Sequence, residues 1–273
     1  KNMTITTSVQ YSYYGGITGK LTESIIKECS VTGLTITGPQ NWLVSAIGGI
    51  TGYINTSTIE NSYVTGSISG RKEMGGIAGL VEKYVPDTSY IKNCIAKVNI
   101  DSSDGPNGIG GIVGFAKEAG QINLKQNISF ATGRNSYKLY GTSATLNMFT
   151  KNYVMEESTL KDNNSMQIKK ISKDDFDEDF CKKDAEFDES IWNLNGCSYD
   201  KLPTLNNADP NNVKEEQKQE NEIYIPYKAR LEKMTEYNKN KEILYSNLYK
   251  LMPFYDAKYL VLDGTKISED DIS

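Results

Sequence analysis

The 273 residues hold 30 lysines and arginines against 35 aspartates and glutamates, a net charge of −5, with 38% hydrophobic residues and no histidine. That balance excludes a nucleic-acid surface, since no basic cluster is interleaved with stacking aromatics, and the missing imidazole removes the usual general base and the usual zinc ligand. No apolar run approaches the roughly 18 residues of a spanning helix, and no charged-then-apolar leader opens the chain, so no membrane span is expected.

Residues 1–14 are rich in Thr and Tyr and alternate like an edge strand or an incomplete first coil. A seven-residue phrase then occurs four times: GGITGKL from Gly15, GGITGYI from Gly48, GGIAGLV from Gly75 and GGIVGFA from Gly110. Its intervals of 33, 27 and 35 residues are those of a stacked-repeat architecture, in which each unit needs its neighbours to cover its apolar side. Within each phrase the side-chain period is two, which means extended chain. Ile17, Gly19 and Leu21 face one way, as do Ile50, Gly52 and Ile54, then Ile77, Gly79 and Val81, then Ile112, Gly114 and Ala116.

The fold expected is mainly β: a parallel β-solenoid of about five rungs, spaced about 4.8 Å apart, with a capping segment and a small C-terminal α-helical region. Ile17, Ile50, Ile77 and Ile112 should form one interior column. Gly15, Gly16, Gly48, Gly49, Gly75, Gly76, Gly110 and Gly111 mark where the coil bends and one rung packs closely on the next. The opposite face carries Thr18 and Lys20, Thr51 and Tyr53, Ala78 and Leu80, and Val113 and Phe115. Its growing apolarity makes Leu80, Val113 and Phe115 a candidate interaction or domain-contact patch, with cover by the C-terminal helical region the preferred reading.

A second phrase trails each first one: Cys29, Val31 and Gly33; Ser62, Val64 and Gly66; Cys94, Ala96 and Val98; Ser129, Ala131 and Gly133. Its small leading residue falls 14, 14, 19 and 19 positions after the first glycine, which places extra turn residues around 84–90 and 117–125. Cys29 and Cys94 then stand two rungs apart, about 9.6 Å, beyond the roughly 7 Å limit for a bridge, and are expected as free thiols. Cys181 and Cys197 lie outside the repeats, and the sequence leaves open whether they pair.

Past the repeats, residues 134–158 read as a last, degenerate rung, completing a solenoid domain over 1–158. The next segment, 159–207, reads as a cap. Ser172 suits a helix N-cap, with Asp174 and Asp175 at the positive end, and Phe176, Phe180, Phe187, Ile191 and Trp192 are available to plug the open end of the coil. Residues 206–222 are too polar to bury a core. Apolar residues at helical spacing follow Pro226, so 208–273 reads as a helical region that starts another domain.

The GGIxGxx units with their trailing phrase resemble the GLUG repeat of bacterial surface proteins. The stretch LYSNLYKLMPFYD, residues 244–256, resembles the segment that follows such repeats in streptococcal-type zinc metallopeptidases, the family of the immunoglobulin A proteases of Gram-positive cocci. The resemblance implies a larger parent that is extracellular, secreted or attached to the cell wall, with a zinc-binding HExxH helix. With no histidine here, that catalytic domain and its zinc would lie outside this chain, which contributes no catalytic, cofactor or metal residues. The implied partners are the rest of the parent protease and host immunoglobulin A. The alternative is a cell-surface adhesin or spacer that binds a host protein or glycan.

Two acidic patterns have bland explanations. Asp87, Asp101 and Asp104 could serve a solenoid hydrolase, but acids in turns are ordinary turn chemistry. Asp175, Asp177, Asp179 and Glu186 fall at positions 1, 3, 5 and 12 of a calcium loop, yet Phe180 stands where the sharp turn needs glycine.

Overall fold

The structure, a computed structural model, describes residues 3–7, 12–40, 45–82, 88–105, 108–117, 122–141, 148–163, 165 and 167–206. The region 208–273 and the KLMPFYD stretch lie outside the described residues. Among those described, no helix is long and apolar enough to cross a membrane.

The chain winds as a parallel β-solenoid whose successive coils build four sheets. The first sheet stacks Tyr13–Gly15, Ala46–Gly48, Met74–Gly75 and Ile109–Gly110. The second stacks Thr18–Thr22, Thr51–Asn55, Ala78–Val81 and Val113–Ala116. The third stacks Ile25–Lys27, Thr58–Glu60, Ser89–Lys92, Ile122–Lys125 and Met148–Thr150. The broad fourth sheet begins with Met3–Thr6 at its edge, continues through Ser30–Thr37, Tyr63–Gly70 and Ile95–Ser102, and ends with Asn152–Met155 and Ile168–Ile171. Four coils are complete, one fewer than the sequence suggests, because the fifth contributes only to some faces.

Like stacks on like. Ile5, Ile36, Ile68 and Ile100 pair in one ladder of the broad sheet, and Ile26, Ile59, Ile91 and Leu124 line the inner side of the third. Each glycine phrase is the arch joining the first sheet to the second. Its amides run up the stack: Ile17 N–H to Ile50 O at 3.0 Å, Ile50 to Ile77 at 2.9 Å, Ile77 to Ile112 at 2.9 Å and Ile112 to Leu139 at 2.6 Å. Ile50, Ile77, Ile112 and Leu139 are fully buried, so the degenerate phrase Tyr137 to Gly141 supplies a fifth member of the column. Ile17 is the exception at 44% exposure, because it belongs to the first coil and only one neighbouring rung covers it.

The arch tolerates only glycine at close approach. A Cβ on Gly49 would sit 2.1 Å from Gly76 O and 2.7 Å from Val64 Cγ1, and one on Gly52 would sit 2.4 Å from Tyr14 N. The two strands therefore fold back almost backbone on backbone, with no side-chain layer between them.

The turn from the third sheet into the fourth is built differently. A residue with left-handed backbone stands there in every coil: Glu28, Asn61, Asn93, Gln126 and Lys151. The next residue points a small polar or thiol side chain inward to bond the adjacent rung. Ser62 Oγ accepts from Cys29 N–H at 3.1 Å, Asn127 Oδ1 from Cys94 N–H at 3.1 Å, and Asn152 Oδ1 from Asn127 N–H at 3.1 Å. A serine ladder does the same at the previous turn, where Ser57 Oγ accepts from Ser24 N–H at 3.0 Å. These ladders satisfy buried amides that a turn would otherwise orphan.

The ladder also corrects the repeat alignment. In the fourth coil the equivalent of Cys94 is Asn127, and Ser129 pairs with Ala96, so the second phrase there starts two residues earlier than the small-residue pattern suggests. Gly33 is not the partner of Gly66: the register slips between Val31 and Leu34, and Gly33, with φ of 62°, is the extra, bulged residue. Tyr90 and Lys125, placed in turns by the sequence, belong to strands of the third sheet.

In the segment after the coils, Leu160 and Ile168 pack against the main core and Lys161 bridges Tyr137, whereas the aromatics expected to plug the open end lie on the flank. The broad sheet points Tyr63, Ile95, Ile128 and Tyr153 outward, and residues 176–205 pack sideways onto that row. Phe130 meets Phe176 edge-on at 4.7 Å, Tyr153 meets Phe180 at 4.8 Å, and Phe187 stacks on Trp192 at 5.0 Å. The short helix is Glu178–Lys183, capped by Asp177, whose carboxylate accepts from Phe180 N–H at 2.8 Å. Ser172 instead closes a turn with Asp175, six residues before the helix.

Candidate functional site

Of the patch expected on the outer side of the second sheet, Val113 is 1% exposed and belongs to the main core. Leu80, at 7%, packs with Ala46, Tyr53 and the half-buried Phe115 in a small cluster of its own. Strand alternation was read correctly at Leu80 and Phe115. The cover preferred from the sequence, the C-terminal helical region, lies outside the described residues; among those described, Ala46 on the neighbouring sheet reaches this cluster. The sixteen glycines and isoleucines of the repeat phrase all lie in the arch, and with Ile17 apart they build the coil and leave little to offer a ligand.

The open surface is the outer side of the third sheet. There the residues flanking each buried isoleucine form two rows: Ile25, Thr58, Tyr90 and Asn123, and beside it Lys27, Glu60, Lys92 and Lys125. Ile25 is 69% exposed and Tyr90 42%, on either side of Thr58 in the stack. Around them Glu23, Ser24, Thr56, Ser57 and Thr88 complete a shallow depression of about 480 Å³. Glu60 is held between two cations, 3.9 Å from Lys27 Nζ and 2.5 Å from Lys92 Nζ. Sequence reading missed this groove, although a signal was present: Ile25 and Tyr90 alternate with the inward Ile26 and Ile91, so they had to face out.

The acids weighed as catalytic candidates are engaged across rungs. The Arg134 guanidinium grips Asp101 at 3.0 and 2.7 Å, and its hydrogen bond holds that carboxyl below the usual range. Arg71 holds Asp104 at 3.1 Å, and Asp87 lies outside the described residues. The calcium-like spacing does not gather its acids either. Asp177 caps the helix, Asp179 pairs with Lys183 at 2.7 Å, Asp175 bonds Ser172, and Glu186 pairs with Lys151 and accepts from Gln126 at 2.6 Å. No histidine exists in the sequence, and among the described residues no group of three or more Cys, Asp or Glu could hold a metal ion.

One half-buried acid stands apart. Burial pushes the Glu73 carboxyl up to about 7 from an ordinary 4.5, with Lys117 and Lys72 opposing and Glu82 reinforcing. The folded state therefore binds this proton more tightly than the unfolded one, and stability falls as pH rises from about 4.5 to about 7. Glu73→Gln is expected to raise the melting temperature by a few degrees at pH 8 and to leave it unchanged at pH 4. Equal shifts at both pH values, by thermal unfolding, would contradict the burial of the charge.

No family model matches the sequence, and no curated protein does. In fold, the chain is similar to a solved structure from Bacteroides ovatus that bears the name "putative immunoglobulin A1 protease". The likeness covers 75% of this chain and 74% of that one, with a TM-score of 0.52 and 18% identity, and it shows a shared solenoid architecture.

Proposed function

We propose that this chain is a non-catalytic scaffold and substrate-recognition region of a larger, extracellular zinc metalloendopeptidase resembling the immunoglobulin A proteases. The observation that carries the reading is a coil whose inner positions, among the described residues, are packed with stacked apolar side chains, in a sequence with no imidazole. The exposed large apolar side chains Ile25 and Tyr90 lie on its outer face. The fold likeness to the Bacteroides chain supports the protease context. Zinc and the water it activates would belong to a domain outside these residues, on the secreted or wall-attached parent. Here the ladder-braced turns would keep the groove at Ile25, Thr58 and Tyr90 rigid, so a bound segment loses little freedom to protein motion.

The test is surface plasmon resonance of the whole 273-residue chain against immunoglobulin A1, with a cleavage assay alongside. Saturable binding is expected, weakened at least tenfold by Ile25→Asp or Tyr90→Ala (about 1.4 kcal/mol), with no cleavage in the presence or absence of zinc. Absence of binding overturns the recognition role, and cleavage by the chain alone overturns the non-catalytic one. Binding to a glycan array without binding to the immunoglobulin would favour a surface adhesin instead.

A further inference from the structure

The flank segment holds both cysteines that lie outside the coils. Cys181 is on the helix Glu178–Lys183, and Cys197 closes the turn in which its N–H bonds Leu194 O at 3.0 Å. Both are buried in the aromatic cluster against the broad sheet, with Sγ atoms 3.4 Å apart. That is only about 1.4 Å more than the roughly 2.0 Å of a disulfide bond. The other two cysteines are differently placed: Cys29 and Cys94 each turn the thiol to the carbonyl two residues back, Lys27 O and Lys92 O, both at 3.2 Å, and the coil of Ser62 lies between them. Nothing in the coil needs the flank to be covalently tied, yet the flank itself has one short helix and one two-residue hairpin to hold its shape.

We propose that Cys181 and Cys197 are a disulfide-forming pair that staples the helix to the turn between the paired strands Trp192–Asn193 and Thr204–Leu205 and fixes the flank on the outward row of the broad sheet. The oxidant is a disulfide of the exchange class, RSSR. The Cys197 thiolate attacks one sulfur and expels RS⁻. The Cys181 sulfur then displaces the second RS⁻ from the mixed disulfide. Two protein thiols give up two protons and two electrons, and RSSR becomes two RSH. Cys197, at 5% exposure against 0% for Cys181, is the thiol that the oxidant reaches first, which sets this order of attack. Oxidised, the pair closes a loop between positions 16 apart, and that loop holds Phe187 and Trp192, of which Trp192 packs on Tyr63 of the broad sheet.

The experiment equilibrates the full chain in glutathione buffers from fully reduced to fully oxidised, quenches with acid, alkylates in denaturant and reads intact and peptide masses. Two of the four thiols should escape alkylation in the oxidised buffers, with a linked peptide pair carrying Cys181 and Cys197 and a mass about 2 Da lower for the hydrogens lost. The oxidised chain should melt about 5–10 °C above the reduced one, a gap that vanishes in the Cys181→Ala, Cys197→Ala double variant. Alkylation of all four thiols at every ratio, linkage through Cys29 or Cys94, or equal melting of the two wild-type forms would each overturn the proposal. The wild-type masses decide the matter even if the double variant folds poorly.

Discussion

Replacing Gly76 with valine is expected to destabilise the coil by about 3–5 kcal/mol. A Cβ at this position would sit 2.1 Å from Gly111 O, 2.8 Å from Ala96 Cβ and 3.0 Å from Val98 Cγ2. The nearest of these is backbone of the next rung, so no rotamer change relieves it. The rungs must separate, which weakens Gly76 N–H to Gly110 O and Ile77 N–H to Ile112 O. Overpacking costs about 1–3 kcal/mol, and each lost ladder bond about 1 kcal/mol more. A loss of about 3–5 kcal/mol is a large part of a domain's 5–15 kcal/mol stability. Urea unfolding followed by circular dichroism measures it. Gly105→Ala is the control: nothing lies within 4 Å of that Cβ, and its effect should stay within about 0.5 kcal/mol. Similar midpoints for the two variants would show that the arches are not in contact.

The second large effect is expected at Asn127, which is fully buried and has three ladder bonds. It accepts from Cys94 N–H at 3.1 Å, and its amide donates to Ile91 O at 2.8 Å and to Asn152 Oδ1 at 3.0 Å. Asn127→Ala strands the buried Cys94 N–H and Ile91 O, each costing about 1–3 kcal/mol, and leaves Asn152 Oδ1 with only the backbone N–H of residue 127, so a loss of about 4 kcal/mol is expected. Cys94→Ser should be mild, within about 1 kcal/mol, because Ser62 already fills the same rung position and bonds Glu60 O at 2.8 Å. A cost below about 1 kcal/mol for Asn127→Ala, in the same unfolding measurement, would mean that the turn does not depend on its ladder.

Those two sites also show what sequence reading could and could not reach. The arch was legible because close backbone approach admits one residue type, so physics repeats as the same letter in every coil. The ladder was not, because Cys29, Ser62, Cys94, Asn127 and Asn152 do one job with three chemistries. Pattern matching therefore fastened on Ser129 as the small residue, although Asn127 makes the bonds. The flank was legible in principle. Tyr63, Ile95, Ile128 and Tyr153 each follow a ladder residue, and an outward apolar row along four coils requires cover from the side. Reading the aromatics of 176–192 as an end plug overlooked that row. The exposure of Ile17 follows from its position on the first coil, a boundary effect that an internal repeat cannot display.

The coils lie over one another in register, and methyl–methyl nuclear Overhauser contacts in an isoleucine-labelled, deuterated chain test this directly. Ile77 should show contacts to both Ile50 and Ile112, while Ile50 and Ile112, two rungs or about 9.6 Å apart, should show none to each other. An Ile77 without contact to either neighbour, or a direct contact between Ile50 and Ile112, would contradict the stacked coil and everything built on it.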